Sequence, residues 1–205
     1  MNGTYGRSAR FYDAVSGERL VYRRGRIAGI DLMGLHEGDT VLDVGCGTGL
    51  NFALLVDAVG ATGRVIGLDR SAAMLAMAQR RITAHTWSNV TTVHADATDF
   101  SALDLEVDGV DAVFATYSLS VISDWRAAWK CMNEALLPGG RAAIVDMQLP
   151  TGPAAFFSPL ARLACWMGGS DIHAHPWTAL RASGFDRVEV RVRGGHIVAA
   201  AATIP

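Results

Sequence analysis

The stretch VLDVGCGTGLNF, residues 41–52, decides the fold of the chain. It opens with three apolar residues, Val41, Leu42 and Val44, which predict a buried strand of a parallel sheet. The glycine-rich turn GCGTG (45–49) follows at once, and a helical apolar pattern begins at Leu50. Glycines allow the backbone to turn tightly and to approach a ligand, and a helix N-terminus presents unpaired N–H groups. The stretch therefore predicts a strand–turn–helix unit that binds a ligand.

The glycine spacing indicates which ligand this turn binds. A dinucleotide fingerprint, G-x-G-x-x-G, would place its third glycine at position 50, but that residue is Leu50 and the glycine lies at Gly49. A phosphate-binding G-x-x-x-x-G-K-[ST] loop is also absent from the sequence. The carboxylate of Asp43 at the strand end would repel a pyrophosphate and attract an ammonium group. We therefore expect a nucleoside that carries a cationic amino acid, such as S-adenosylmethionine.

Composition and length restrict the class of protein. The chain has 205 residues, half of them apolar, and a net charge of −2, so we expect one α/β domain over residues 1–205. No apolar run approaches the roughly 20 residues of a membrane span, and no signal-peptide pattern is present. The three cysteines are scattered and show no metal-ligand spacing. These features predict a cytoplasmic protein without a metal site, and the net charge argues against a nucleic-acid partner.

The N-terminal residues are basic against this acidic background. Residues 1–26 contain six arginines, one aspartate and one glutamate, a balance of +4. A solvated helix face explains this charge, and so does an arm that meets an anionic membrane surface or a phosphate-bearing substrate. Helical patterns at 5–15 and 17–34 predict a helical cap over residues 1–35. This cap would lie either over the glycine turn as a lid or against the edge of the sheet.

Apolar runs and turn signals predict the remaining elements. An apolar segment rich in aromatic residues and proline at 150–170 predicts a broken helix, and residues 150–175 are a natural cover for a substrate. Two β runs joined at Gly194-Gly195 leave no room for a crossover helix, so the sheet should end in an antiparallel hairpin. The other predicted elements are strands at 64–69, 89–96, 110–118 and 140–147 and helices at 71–84, 124–137 and 176–183.

Two predicted strands end on carboxylates. Asp69 lies about 20 residues after the glycine turn, where an acidic side chain can accept hydrogen bonds from ribose hydroxyls. The alternative is that Asp69 or Ser71 simply caps the following helix. Asp96 ends the next strand and could accept from an adenine amino group, with the N–H of Ala97 reaching a ring nitrogen. Met74 could pack on the adenine ring or in the core.

Taken together, these residues resemble the class I S-adenosylmethionine-dependent methyltransferases. The resemblance covers roughly residues 36–204. It rests on the D-x-G-x-G-x-G motif at 43–49, on Asp69 and Asp96 in the family's ribose and adenine positions, and on LLPGG at 136–140. It implies a Rossmann-like, doubly wound α/β sheet of seven strands in the order 3-2-1-4-5-7-6, with the last strand antiparallel and an N-terminal helical lid. The implied site for S-adenosylmethionine comprises Tyr12, Asp43, Gly45, Cys46, Gly47, Thr48, Gly49, Asp69, Arg70, Met74, Asp96, Ala97 and Thr116.

Within this family, the chain is similar to the branch that methylates quinone rings on carbon and lipid headgroups on nitrogen. Tyr12-Asp13 and the segment YSLSVISDW (117–125) carry that likeness. The implied activity is methyl transfer to a small molecule or a lipid headgroup. An amine acceptor would need only its neutral form, and the faces of Tyr12, Tyr117 or Trp166 could hold methylammonium groups.

An acceptor that reacts at carbon or at a hydroxyl would need a general base. The candidate catalytic residues are Tyr117, Asp146, His173 and His175, although His175 and Asp146 could equally serve as loop or helix caps. The sequence does not select among them. Two functions of other classes are an NAD-dependent oxidoreductase, which Asp43 and the glycine spacing disfavour, and a protein that binds the cofactor without catalysis. The sequence also permits S-adenosylmethionine chemistry other than methylation.

Overall fold

The computed structural model describes residues 22–205, apart from the side chains of Ala164, Trp166 and Met167. Within these residues seven strands form one sheet: β1 (Thr40–Val44), β2 (Arg64–Asp69), β3 (Val90–His94), β4 (Val110–Thr116), β5 (Leu136–Met147), β6 (Phe185–Val192) and β7 (Ile197–Thr203). The described α-helices are α1 (Arg23–Met33), α2 (Phe52–Val59), α3 (Ala72–His85), α4 (Trp125–Glu134), α5 (Ser158–Gly168) and α6 (Leu180–Ser183). Three 3-10 helices lie at Leu119–Val121, Gly152–Phe157 and Pro176–Ala179.

The strand order confirms the prediction from the sequence. It is β3-β2-β1-β4-β5-β7-β6. Strands β1 to β5 pair in parallel, and β7 is antiparallel to both β5 and β6. The short connection between β6 and β7 permits only an antiparallel pair, because a parallel pair needs a crossover of a dozen or more residues. The carboxyl ends of β1, β2, β3 and β4 consequently share one edge of the sheet, where open α/β sheets bind ligands.

Both faces of the sheet are covered, and β1 shows this directly. Leu42 and Val44 pack into an apolar cluster with α4, whereas Val41 packs into a second cluster with α1, α2 and α3. All three side chains are fully buried. A central parallel strand is buried on both faces, which explains why the adjacent residues Val41 and Leu42 are both apolar although their side chains point to opposite faces.

Helix α1 lies against the face of the sheet rather than its edge. A Cβ added at Gly25 would collide with Tyr117 Oη, and one at Gly29 would collide with Val145 Cγ2. The two glycines, four residues apart, therefore allow the helix backbone to approach β4 and β5 closely. Both lower the helix propensity of this segment, but burial against the sheet compensates. The predicted helix at 5–15, most of the N-terminal cap and the first residues of the predicted helix at 17–34 lie outside the described residues.

The segment LLPGG (136–140) forms the first part of β5 rather than the end of a helix. The sequence predicted that the helix would continue to Leu137, but α4 ends at Glu134 and β5 begins at Leu136. The pairing of β5 with β4 shifts register between Val110 and Ala112, which accommodates the Pro-Gly-Gly residues. Gly139 adopts a φ of 81° in this irregular stretch, a conformation that glycine permits without strain.

Among residues 22–205, no helix is long and apolar enough to span a bilayer.

Candidate cofactor site

The glycine turn lies between the end of β1 and the start of α2. Gly45 and Gly47 have φ values of 71° and 56°. A Cβ at Gly45 would collide with the side chain of Ser118, which holds the turn against β4 by donating its hydroxyl to the Val44 carbonyl over 2.8 Å. A Cβ at Gly47 would meet no protein atom within 4 Å. Gly45 is thus required for packing, whereas Gly47 faces space that a ligand can occupy.

Asp69 joins this turn to the end of β2. Its Oδ2 accepts a hydrogen bond from the Gly47 N–H over 2.9 Å, and its Oδ1 accepts one from the Ser71 N–H over 2.8 Å. Ser71 itself caps α3, because its hydroxyl accepts from the Met74 N–H. Asp69 is partly exposed, and a carboxylate has about four acceptor positions, of which two are used here. The remaining capacity fits the acceptance of ribose hydroxyls.

The end of β3 supplies the next polar group. The Asp96 side chain is exposed, and its Oδ1 accepts from the backbone N–H and the hydroxyl of Thr98 at 2.9 and 2.7 Å. These bonds to Thr98 lower the pKa of Asp96, so the carboxylate is ionised. Ala97 is buried beside it, and Met74 at the start of α3 is buried outside the three apolar clusters of the described residues.

Arg70, Cys46 and Thr48 complete the predicted set near the turn. Arg70 is exposed, and its carbonyl lies 3.0 Å from Nε2 of His94, the last residue of β3. Cys46 and Thr48 are buried, and the Thr48 carbonyl accepts from Arg81 Nε over 3.0 Å. Burial raises the pKa of the Cys46 thiol well above its usual value, so this cysteine is a neutral packing residue.

A buried polar network lies beneath the turn. Asn51 Nδ2 donates to both carboxylate oxygens of Asp43, at 2.9 and 3.0 Å, and to Thr116 Oγ1 at 2.9 Å. Arg26 Nη1, from α1, donates to Asn51 Oδ1 at 2.9 Å and to Thr116 Oγ1 at 3.0 Å. The network joins α1, β1, α2 and β4 below the turn. Both carboxylate oxygens of Asp43 thus accept from Asn51, and contact of Asp43 with a ligand ammonium stays a prediction.

The protonation of Asp43 follows from this burial. The side chain is fully buried, and burial raises its pKa to about 7, against the opposing effects of the Asn51 hydrogen bonds and the Arg26 charge. Arg26 was counted in the basic N-terminal arm, but it is half-buried in this network. It is therefore not a surface arginine, whereas Arg23 and Arg24 are exposed.

Tyr117 connects the network to the predicted substrate cover. Its hydroxyl donates to the Tyr22 carbonyl over 2.9 Å, and its ring meets the Tyr22 ring edge-on at 4.9 Å between centroids. The Arg26 guanidinium lies 5.3 Å from the Tyr117 ring centroid. Both tyrosines pack against an apolar cluster that contains Met147 from the end of β5, Ala161 and Cys165 from α5, and Ile172 from the loop after α5.

The other candidate catalytic residues have different surroundings. Asp146 is fully buried and accepts hydrogen bonds from Ser120 N, Ser120 Oγ and Met147 N. Burial raises its pKa to about 6. His173 is exposed, and His175 packs against Trp177 at 5.0 Å between ring centroids. Tyr12 and the side chain of Trp166 lie outside the described residues. Within residues 22–205, no cluster of His, Cys, Asp or Glu side chains is arranged to hold a metal ion.

Sequence reasoning missed Asn51, Arg26 and Arg81 as residues of this site. Asn51 interrupts an otherwise apolar helix start, and this isolated polar residue was the available signal. Arg26 lies between Gly25 and Gly29, the residues at which α1 contacts the sheet. A count of arginines in the sequence cannot distinguish Arg26 from its exposed neighbours.

The sequence of the chain is similar to those of known methyltransferases. A family model described as "Methyltransferase domain" matches residues 41–140. Demethylmenaquinone methyltransferase of Staphylococcus aureus (strain JH9) is 37% identical over 121 residues, which are 59% of this chain and 48% of that protein. The chain therefore spans about half the length of the curated relatives it matches.

Solved structures of similar fold cover more of the chain. A SAM-dependent methyltransferase from Aquifex aeolicus superposes with a TM-score of 0.67 at 21% identity, covering 98% of each chain. Phosphoethanolamine N-methyltransferase 2 of Haemonchus contortus, in complex with phosphomonomethylethanolamine and S-adenosylhomocysteine, superposes with a TM-score of 0.73 at 16% identity, covering 98% of this chain and 57% of that one. At these identities the superpositions establish the shared fold.

Proposed function

We propose that the chain is a class I S-adenosylmethionine-dependent methyltransferase, in keeping with the family model and the relatives that it matches, and that it transfers the sulfonium methyl group of S-adenosylmethionine to a small-molecule acceptor. The observation that carries the proposal is the junction of Gly47 and Asp69. There a ligand-accessible glycine turn meets a carboxylate with acceptor capacity to spare. Two further residues at the same edge, Asp96 and Met74, have the chemistry to recognise adenine.

The residues at this edge suit each part of the cofactor. Gly47 leaves space beside the turn, and Asp69 would accept from the ribose hydroxyls. Asp96, ionised and with both of its described hydrogen bonds on Oδ1, would accept from the adenine amino group through Oδ2. The third glycine of the turn lies at Gly49 and not at position 50, which departs from the dinucleotide fingerprint and disfavours NAD and NADP.

The residues of the chain contribute mainly position and exclusion of water. When bound, S-adenosylmethionine supplies a methyl group on an already activated leaving group. The acceptor would supply the electron pair of the new bond, and the electron pair of the carbon–sulfur bond would remain on sulfur. Tyr22, Tyr117 and the apolar cluster around Met147 and Cys165 would shield the acceptor from water and hold it in line.

We favour a quinone-like ring over an amine as the acceptor. The cluster beside Tyr117 is apolar, and the chain is similar over 121 residues to a protein named for methylation of demethylmenaquinone. The Arg26 guanidinium already occupies a place against the Tyr117 ring, so a second cation there would be repelled. A lipid-headgroup amine is the alternative acceptor, in keeping with the fold shared with an N-methyltransferase.

Asp146 has a structural part in this proposal. Its oxygens already accept three hydrogen bonds from Ser120 and Met147, so we assign it to holding the loop after β4 rather than to proton transfer. The proton lost by a ring acceptor would pass to water or to one of the candidate bases His173 and His175. We also propose a cytoplasmic location, with Arg23 and Arg24 contributing to contact with an anionic surface.

Isothermal titration calorimetry tests the cofactor, and methyl transfer tests the acceptor. We expect saturable binding of S-adenosylhomocysteine and none of NAD or NADP. With radiolabelled S-adenosylmethionine, label should pass to a reduced naphthoquinone and not to phosphoethanolamine. Binding of NAD in place of S-adenosylhomocysteine would refute the cofactor proposal. Binding of S-adenosylhomocysteine without transfer to any acceptor would favour a cofactor-binding protein without catalysis.

A further inference from the structure

The segment that covers the apolar cluster carries its large side chains on the outside. In α5, Ala161 and Cys165 face inward and are 8% and 3% exposed. On the outer side Leu160 and Leu163 are 64% and 50% exposed. A helix of a globular protein normally buries its large apolar side chains, and here small residues are buried instead.

The preceding 3-10 helix extends this outer surface. Phe156 and Phe157 are 85% and 59% exposed, and their rings meet edge-on with 5.7 Å between centroids. These two residues with Leu160 and Leu163 form what we call the outer apolar surface. A contiguous exposed patch of this kind marks a protein or membrane contact on soluble domains.

The charges around the outer apolar surface are basic. Between Asp146 and Asp171 the sequence contains one charged residue, Arg162, and its side chain is exposed. Tyr22 packs against the inner cluster that contains Ala161 and Cys165, so the start of α1, with exposed Arg23 and Arg24, lies beside this segment. An apolar surface flanked by arginines and free of carboxylates along 147–170 is complementary to a lipid bilayer that contains anionic phospholipids.

We propose that the outer apolar surface docks on an anionic phospholipid bilayer, with Phe156, Phe157, Leu160 and Leu163 entering the interfacial region. Arg162, Arg23 and Arg24 would lie at the level of the headgroups, where each basic residue adds to the attraction. The inner face of the same helix covers the cluster beside Tyr117, so docking would bring the membrane surface to the proposed acceptor site. The binding proposal does not require the chain to be catalytically active.

Co-sedimentation with vesicles tests the docking directly. The probes are vesicles of phosphatidylcholine with phosphatidylglycerol and vesicles of phosphatidylcholine alone. We expect the wild-type chain to sediment with the mixed vesicles at least tenfold more strongly. The variant F156S/L160S should lose at least tenfold of that binding because it removes two inserting side chains. The matched control L103S/V188S alters two apolar residues that do not belong to the outer apolar surface. Leu103 and Val188 are 89% and 45% exposed, and the control should sediment like the wild type.

Three further measurements distinguish docking on lipid from misfolding of the variant and from self-association of the chain. Calorimetry with S-adenosylhomocysteine should give the same affinity for F156S/L160S as for the wild type, which shows that the variant folds and that the cofactor site is independent of docking. R162Q should weaken binding to mixed vesicles at low salt and have a smaller effect at high salt. Absence of wild-type vesicle binding would overturn the proposal. So would a wild-type dimer in sedimentation velocity that F156S/L160S converts to monomer without any change in vesicle binding, because the surface would then join two copies of the chain.

Discussion

Replacement of Asp69 by asparagine tests the centre of the proposed cofactor site. The Asp69 carboxylate holds the glycine turn through Gly47 and the start of α3 through Ser71, at 2.9 and 2.8 Å. Asparagine retains one acceptor oxygen and replaces the other by an amide NH₂ group. The variant must therefore give up one of these two backbone hydrogen bonds, and it offers a ribose fewer acceptor positions.

The expected magnitudes follow from these contacts. A hydrogen bond to a charged group contributes about 1.5–3 kcal/mol, and part of the lost bond will be replaced by water at this half-exposed site. We expect the free energy of unfolding to fall by about 1–2 kcal/mol. The loss of a charged acceptor for the ribose should weaken binding of S-adenosylhomocysteine by roughly 10- to 100-fold, since 1.4 kcal/mol corresponds to a factor of ten.

A double-mutant cycle separates ribose recognition from an indirect effect on the turn. The assay is calorimetry with S-adenosylhomocysteine and with an analogue that lacks both ribose hydroxyls. If Asp69 accepts from the ribose, the analogue should bind the wild type and D69N with nearly equal affinity. The control S71A removes the cap of α3, which should cost about 1 kcal/mol of stability and leave the affinity unchanged. Equal weakening of both ligands in D69N would refute ribose recognition and make Asp69 a support of the turn alone.

Two other predictions concern the turn and the network beneath it. G47A should weaken S-adenosylhomocysteine binding at least tenfold. The control is G34A: Gly34 also has a positive φ, 58°, and open space around an added Cβ, so G34A should lower stability by a similar amount without altering affinity. Equal affinities of G47A and the wild type in calorimetry would contradict this prediction. Burial raises the pKa of Asp43 to about 7 and that of Asp146 to about 6. Because the unfolded carboxyls ionise at lower pH, stability should fall as pH rises from 4 to 7, and the fall above pH 6 should shrink in D43N. The free energy of unfolding is measured by urea unfolding at each pH. If it changes with pH above pH 6 in D43N as it does in the wild type, the raised pKa of Asp43 is contradicted.

The sequence predicted the parts of the molecule that depend on local pattern. The run at 41–44, the turn at 45–49 and the end of a strand at Asp69 are each encoded within a few residues. The order of the strands followed from the resemblance, and the antiparallel end of the sheet followed from the short Gly194-Gly195 connection. These elements agree with the structure because each depends on neighbouring residues, and the parallel pairing brings the carboxyl ends of the strands to one edge of the sheet.

The parts that the sequence could not predict depend on contacts between distant residues. Arg26 meets Asn51 and Thr116, which lie 25 and 90 positions away. Asn51 shares its amide with Asp43 and Thr116, a choice that depends on the spacing between α2 and two strands. Gly25 reads as a weak point in a helix, and only the position of Tyr117 shows why a larger residue would not fit.

Arg26 also shows why a count of charges cannot assign basic residues to a surface. Arg23, Arg24 and Arg26 are neighbours in sequence and equal in formal charge, yet the first two are exposed and the third is half-buried. Gly25 and Gly29 mark the side of α1 that meets the sheet, and Arg26 lies three residues before Gly29 on the helix surface, whereas Arg23 and Arg24 are the first two residues of the helix. Arg26 therefore lies near enough to the sheet to reach Asn51. The basic charge of residues 1–26 thus divides between the network beneath the glycine turn and the exposed start of α1 beside the outer apolar surface.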